Sequence, residues 1–313
     1  MKKRKIKKIP FIITIVIIIL VFVISFKIVQ TIKYHNTYDY KLSQLNYTEK
    51  EIKNIKKLSD KKIDEILKKD KIEILSDIIV QKYFLEKNLN TYINYYNENK
   101  DKKLNDIIAI VNVGANNEPY SNTKKADTTK NELILVNKYY YLDNTFIPEG
   151  VIDAPLSLAF DDNQTTELVL EKFKEMALAA DEEDLTLIIN SGYRPYEYQE
   201  ELYSEYEARD GVEGADSYAA RPGHSEHQTG LAIDIITYGA KNNSFDQTDE
   251  FKWLDQNAHK YGFILRYPKD KTYLTGYDYE SWHFRYVGID AATKIKKLGI
   301  TFDEYYAYFI ENK

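Results

Sequence analysis

The 313-residue chain contains no cysteine. That absence excludes disulfide frameworks, thiolate nucleophiles, cysteine-ligated zinc, iron–sulfur clusters and a lipid anchor built on cysteine, so any metal must rest on histidine or carboxylate. Histidine is scarce too. There are five, and three of them, His224, His227 and His283, fall in two short polar segments of the C-terminal third. Acidic residues are missing from Met1 to Tyr34, a stretch with eight lysines and arginines, so a chain of net charge −6 carries −14 beyond that point. The chain as a whole has a globular composition: 43% hydrophobic residues, 29% charged residues and 28 tyrosines exclude disorder throughout. The length allows one or two folded units plus an appendage.

Charge of either sign is missing from Ile9 to Phe26. Eighteen residues at about 1.5 Å each make a helix of about 27 Å, close to the hydrocarbon thickness of a bilayer. The run is apolar on every side and follows Lys2, Lys3, Arg4, Lys5, Lys7 and Lys8, which predicts a transmembrane anchor over residues 9–26. No small-residue cleavage site follows Phe26, so the anchor is expected to stay attached. The positive-inside rule then makes residues 1–8 a cytoplasmic basic segment and places everything beyond about residue 27 outside, as a single-pass protein of the cell membrane. Lysines abutting a hydrophobic span are explained by that topology, and no nucleic-acid partner is expected.

Residues 27–46 read as a juxtamembrane stalk and 47–130 as a small helical module. In the module Ile52, Ile55 and Leu58, then Ile63, Ile66 and Leu67, recur at spacings of three and four, with Thr48 and Glu51 as a capping box and Ser59 as an N-cap. It holds no site chemistry. Ile107 to Val113 predicts a short strand and 114–130 a loop. A second domain is expected over 131–313. There Glu132 to Leu142 starts as a strand, a helix runs from Thr166, its cap, to Ala180, and further strands cover Leu185–Asn190, Leu231–Ile236, Phe263–Arg266 and Trp282–Val287. Helices are predicted at Tyr196–Ala208, Phe251–Tyr261, Ile289–Leu298 and Phe302–Ile310. This mixed order, without βαβ repetition, predicts an α+β fold with a small, largely antiparallel sheet and flanking helices.

Chemistry concentrates in three segments. In Arg221-Pro-Gly-His-Ser-Glu-His-Gln-Thr-Gly-Leu-Ala-Ile-Asp234, His227 and Asp234 offer imidazole and carboxylate on either side of Gly230. Positions seven apart face opposite ways on an ideal strand, so both meet one ion only if the chain turns between them, a freedom that Gly230 supplies. Glu280-Ser-Trp-His283 adds a third ligand and a nearby carboxylate. Three N/O ligands with one open position are the arrangement of catalytic zinc, and a free carboxylate is the base it needs. In Ser191-Gly-Tyr-Arg-Pro-Tyr-Glu-Tyr-Gln199, Arg194 at a strand end is a fixed cation suited to an oxyanion or a carboxylate.

Taken together, Ser-Gly-Tyr-Arg-x4-Gln, Ser-x-His-x2-Gly-x-Ala-x-Asp and Glu-x-Trp-His resemble the VanY-type zinc D-alanyl-D-alanine carboxypeptidases of the Hedgehog/DD-peptidase-like fold, in family order over residues 131–290. Leu135 to Leu142 also looks like that family's entry strand. The resemblance implies zinc (Zn2+) on His227, Asp234 and His283, with Glu280 as general base and Arg194 facing the scissile carbonyl. It further implies that Gln199, Ser225, Tyr267 and Trp282 line the pocket for a terminal D-alanine and its carboxylate. His224 is passed over by the family pattern and reads as pocket rim or structure. The substrate implied is a peptidoglycan stem peptide, cut by a membrane-anchored zinc carboxypeptidase. The alternatives are a zinc endopeptidase cutting wall cross-bridges and a non-catalytic wall-peptide-binding protein.

Overall fold

The structure, a computed structural model, describes residues 8–311. The basic run at residues 2–7 lies outside the described residues. The chain divides into two compact units, 1–105 and 106–313.

The first unit begins with helix α1 (Lys8–His35), longer than the predicted span. Its side chains from Ile13 to Ile32 are exposed on every side. Helices α2 (Tyr38–Gln44), α3 (Glu49–Ile55), α4 (Asp60–Ile66), α5 (Leu75–Ile79) and α6 (Leu89–Glu98) follow. The periodic residues Ile52, Ile55, Leu58, Ile63 and Ile66 are all buried. Thr48 and Glu51 form the expected capping box, and the Ser59 hydroxyl accepts from the Lys62 amide.

Helix α7 (Leu104–Val113) occupies the run predicted as a strand. Every residue from Ile107 to Val113 is buried and only Asn112 among them is polar, so the run has no periodicity by which to tell a helix from a buried strand. Beyond it come strands β1 (Lys124–Lys125) and β2 (Tyr140–Tyr141), a short parallel pair, and β3 (Val151–Asp153) and β4 (Gln164–Thr166), an antiparallel pair. The entry strand expected over Leu135–Leu142 is thus strand only at Tyr140 and Tyr141. Helix α8 (Glu167–Asp181) follows directly. The Thr166 hydroxyl does not cap it and instead donates to the Gly230 carbonyl at 3.2 Å.

Four strands make the main sheet: β5 (Ile188–Ser191), β6 (Ala232–Ile236), β7 (Phe263–Leu265) and β8 (His283–Tyr286), in the order β5-β6-β8-β7 and antiparallel throughout. Alternation along the strands sends Ile233, Ile235, Phe263 and Phe284 into a core built with Val169, Phe173 and Met176 of α8. Helix α9 (Tyr196–Tyr218) runs ten residues past its predicted end, through a kink at Gly211. Helices α10 (Asp249–Asn257), α11 (Thr272–Thr275), α12 (Ile289–Leu298) and α13 (Phe302–Phe309) complete the unit, with α12 and α13 packing Ile295, Phe302 and Tyr306 against Leu135 and Ile264.

Candidate active site and metal centre

Sheet register brings the site together. Ser191 pairs with Asp234 across β5 and β6, and Asp234 pairs with His283 across β6 and β8. Residues directly opposite one another share a face, so Asp234 and His283 project from the same side of the sheet. His227 reaches them from a single 3-10 turn, Glu226–Thr229, capped by the Ser225 hydroxyl, which accepts from the His227 amide at 3.3 Å. The turn ends at Gly230 with φ +64, where an added Cβ would sit 2.8 Å from the Thr166 side chain. The predicted reversal between His227 and Asp234 is therefore real, and glycine is needed for both its backbone angle and its lack of a side chain.

One ligand atom from each of His227, Asp234 and His283 lies within 4.8 Å of the others, and all three residues are buried. His227 Nε2 is 3.4 Å and His283 Nδ1 is 3.5 Å from Asp234 Oδ1. His227 Nδ1 donates to the Gly192 carbonyl at 2.7 Å, which leaves Nε2 as the lone-pair nitrogen. Residue 192 must be glycine for that carbonyl to come so near, since a Cβ would meet the Gln164 carbonyl oxygen at 2.0 Å. His227 Nε2 and Asp234 Oδ1 are buried without a hydrogen-bond partner. Buried polar atoms left so are costly, and two of them converging with a third N donor fit a divalent zinc ion.

Electrostatics separate the two imidazoles. Burial, reinforced by the Arg194 charge, lowers His227 to about 4, so it is neutral. Burial alone would lower His283 as well, but Glu226 and Glu280 on its two ring nitrogens, with Asp234, push it up to about 9. A cation is thus favoured at this spot. Burial opposes the charge on Asp234, yet the neighbouring histidines hold its carboxyl down at about 2. Glu280, whose Oε2 is 3.2 Å from His283 Nδ1, is pushed upward by burial, toward the range useful to a proton acceptor.

These groups open onto a cavity of about 350 Å³, and every residue assigned by the sequence reading lines it: Arg194, Gln199, Ser225, Tyr267, Glu280 and Trp282 besides the three candidate ligands. Arg194 leaves its Nε buried and unpartnered, while its amide donates to the His227 carbonyl at 3.2 Å. Gln199 donates to the Ala220 carbonyl at 2.8 Å and keeps a buried, unpartnered Oε1. The Tyr267 ring packs 4.8 Å from that of His283. His224 stays outside the cluster, with Nδ1 2.7 Å from the Asn137 carbonyl oxygen and its ring edge-on to Tyr120.

Sequence reasoning missed a layer of charge beneath the site. Glu226, Arg266, Arg285 and Asp303 are all buried, the two arginines with no exposed surface at all. Glu226 Oε1 accepts from Arg266 Nε at 2.7 Å and from Arg285 at 2.9 Å, and Asp303 accepts from Arg266 at 2.6 and 3.1 Å. Burial favours the neutral carboxyl at Glu226, but the two guanidiniums override it and hold the group far below the usual carboxylate range. The signal was present. An arginine within a buried strand, as Arg285 in His283-Phe-Arg285-Tyr, or directly after an apolar one, as Arg266 after Phe263-Ile-Leu, implies a partner of opposite charge in the interior.

A family model described as VanY, D-alanyl-D-alanine carboxypeptidase, matches residues 162–289. YodJ of Bacillus subtilis (strain 168), a protein provisionally named a carboxypeptidase, is 36% identical over 200 residues, covering 60% of this chain and 73% of its own length. The D-alanyl-D-alanine carboxypeptidase of Enterococcus faecium is 35% identical over 190 residues, covering 60% of this chain and 56% of its own length. Among solved structures, the LdcB LD-carboxypeptidase superposes with a TM-score of 0.57 at 36% identity, over 60% of this chain and 91% of that one.

Proposed function

From the premise that the chain belongs to the VanY D-alanyl-D-alanine carboxypeptidase family, whose members are metallopeptidases, we propose that it is a zinc enzyme, anchored in the cell membrane, that removes the terminal D-alanine from peptidoglycan stem peptides. The observation that carries this reading is the convergence of His227, Asp234 and His283 within 4.8 Å, next to Glu280 and in one cavity with Arg194.

His227, Asp234 and His283 are the proposed zinc ligands. Bound zinc supplies Lewis acidity, which acidifies water and polarises a peptide carbonyl. Glu280 accepts a proton from the attacking water and returns it to the departing amine as the carbon–nitrogen bond breaks. The Arg194 guanidinium stabilises the negative charge that develops on the carbonyl oxygen. Gln199, Ser225, Tyr267 and Trp282 hold the terminal residue and its carboxylate. The exposed apolar surface of α1 supports membrane anchoring through residues 9–26 with the catalytic unit outside, where stem peptides lie. Recovery of membrane-bound protein whose sequence begins after Phe26 would overturn the anchor.

Mass spectrometry of products from defined pentapeptide and tetrapeptide muropeptides tests the activity. Loss of a single C-terminal alanine is expected, and the substrate that loses it distinguishes D,D from L,D cleavage. Internal cleavage without release of one residue sinks the carboxypeptidase reading in favour of an endopeptidase. Binding without any cleavage in the presence of zinc leaves a wall-peptide-binding protein.

A further inference from the structure

The buried charges beneath the site have a geometry that stability alone does not require. His283 presents Nδ1 to Asp234 Oδ1 and Glu280 Oε2, at 3.5 and 3.2 Å, and turns Nε2 the other way, 3.5 Å from Glu226 Oε2. Both His283 Nε2 and Glu226 Oε2 are buried and neither makes a hydrogen bond, so their 3.5 Å approach is the polar contact left to each. Each is therefore the polar neighbour on which the other depends. The second oxygen of the same carboxylate is already saturated by Arg266 and Arg285. Arg266 is gripped in turn by Asp303, which also accepts from Asn137 at 2.8 Å, and Arg285 donates to the carbonyls of Glu132 and Ile134. Two buried acids face two buried arginines, so the assembly is neutral as a whole, and the Glu226 carboxylate cannot swing without stranding a guanidinium.

We propose that Glu226 is a positioning residue for His283: its Oε2 accepts the Nε2–H of that imidazole, fixing the tautomer that leaves Nδ1 as the lone-pair nitrogen beside Asp234. Histidines that bind metals generally need such an acceptor on the outer nitrogen, which sets ring orientation and raises ligand basicity. Asp303 and Asn137 lie outside the segment matched by the family model, so the clamp on Glu226 is built partly from α13 and from the chain before β2. The inference rests on zinc being bound by His227, Asp234 and His283.

The test compares zinc affinity, by competition with a chromophoric chelator, in the unmodified protein, in Glu226→Gln and in Phe173→Leu, a core change in the same unit. Loss of the charged acceptor is expected to weaken zinc binding by about 10–100-fold, and Phe173→Leu to lower the thermal midpoint with affinity changed less than about threefold. Equal affinity losses in both variants, or an unchanged affinity in Glu226→Gln, overturn the proposal. Should Glu226→Gln fail to fold, long-range proton–nitrogen correlation spectra of the ¹⁵N-histidine-labelled, zinc-loaded protein decide it: the proton of His283 belongs on Nε2, and finding it on Nδ1 overturns the assignment. Absence of zinc binding by the unmodified protein would instead remove the metal reading itself, and with it this inference.

Discussion

Between Tyr38 and Glu98 the buried side chains are Leu42, Tyr47, Ile52, Ile55, Leu58, Ile63, Ile66, Leu75, Ile78, Ile79, Leu89 and Tyr92, with Ser76 as a small polar exception. Beneath the main sheet the buried set includes Glu226, His227, Asp234, Arg266, Glu280, His283, Arg285 and Asp303. The first set is held by area removed from water, a non-directional force that tolerates exchange of one apolar residue for another of similar volume. The second set opposes folding through desolvation and persists because each charge has partners at defined distances. Stability resides in the first arrangement and chemistry in the second, which is why the two regions should respond to substitution in different currencies, one in free energy of unfolding and the other in metal binding and rate.

The largest effects should fall on that second set and should split by role. His283→Ala is expected to lose both zinc, read by elemental analysis, and carboxypeptidase turnover. Glu280→Gln keeps the shape of the side chain but cannot accept a proton at neutral pH. It should retain zinc while turnover falls by about 10²–10⁴-fold, the usual worth of general-base catalysis. Near-normal turnover of zinc-loaded Glu280→Gln would show that Glu280 is not the base, and the comparison would lose its sharpest contrast.

The same division explains what was legible beforehand. Periodic isoleucines in α3 and α4, and the capping signals at Thr48 and Ser59, report local physics and can be read directly from spacing. The reversal at Gly230 was legible because seven residues between two ligands conflict with strand geometry, a conflict that glycine resolves. Residues Ile107 to Val113 were misread because a segment buried on every side has no amphipathic signature, leaving β-branched composition to suggest a strand where tertiary packing selects a helix. Glu226 stood inside the recognised Ser-Glu-His segment without a role, since its partners are 40, 59 and 57 residues away and only the sheet register brings them under His283. Thr166 was placed correctly before α8 but was expected to cap it. Tertiary structure diverted its hydroxyl to the Gly230 carbonyl, beside the turn that carries His227.

A cavity in the N-terminal unit should be felt only there. Ile55 has no exposed surface, and Ile55→Ala removes buried methyl groups from a well-packed site, a change that costs about 2–5 kcal/mol. Hydrogen exchange should accelerate across α3 and α5, which pack together, while zinc affinity and turnover stay within about twofold of the unmodified protein. A several-fold loss of zinc affinity would break the comparison, because it would mean that the apolar region tunes the metal site.

The smallest effect offers the closest control, since among the described residues the same motif occurs once in each region. Thr48 and Glu51 cap α3 in the open, whereas Thr301 and Glu304 cap α13 in the interior, where Thr301 is only 2% exposed and Glu304 5%. Removing an N-cap hydroxyl costs about 1 kcal/mol, within a range of about 0.5–2. Thr48→Ala should sit near the middle of that range, because water can replace the hydroxyl. Thr301→Ala should reach its upper end, because the Glu304 amide, 3.1 Å from the lost oxygen, is left without a partner away from water. Acid titration adds a sign to the exposed box. The Thr48 amide and then its hydroxyl lower the Glu51 carboxyl below its usual value, so its contribution is complete above the ordinary carboxylate range and is lost as pH falls through the folded value. Protection across α3, measured relative to the intrinsic exchange rate at each pH, should therefore fall on acidification in the unmodified protein and do so much less in Glu51→Gln. Equal costs for Thr48→Ala and Thr301→Ala would mean that burial does not amplify a cap, and that the two regions differ in composition without differing in how their hydrogen bonds act.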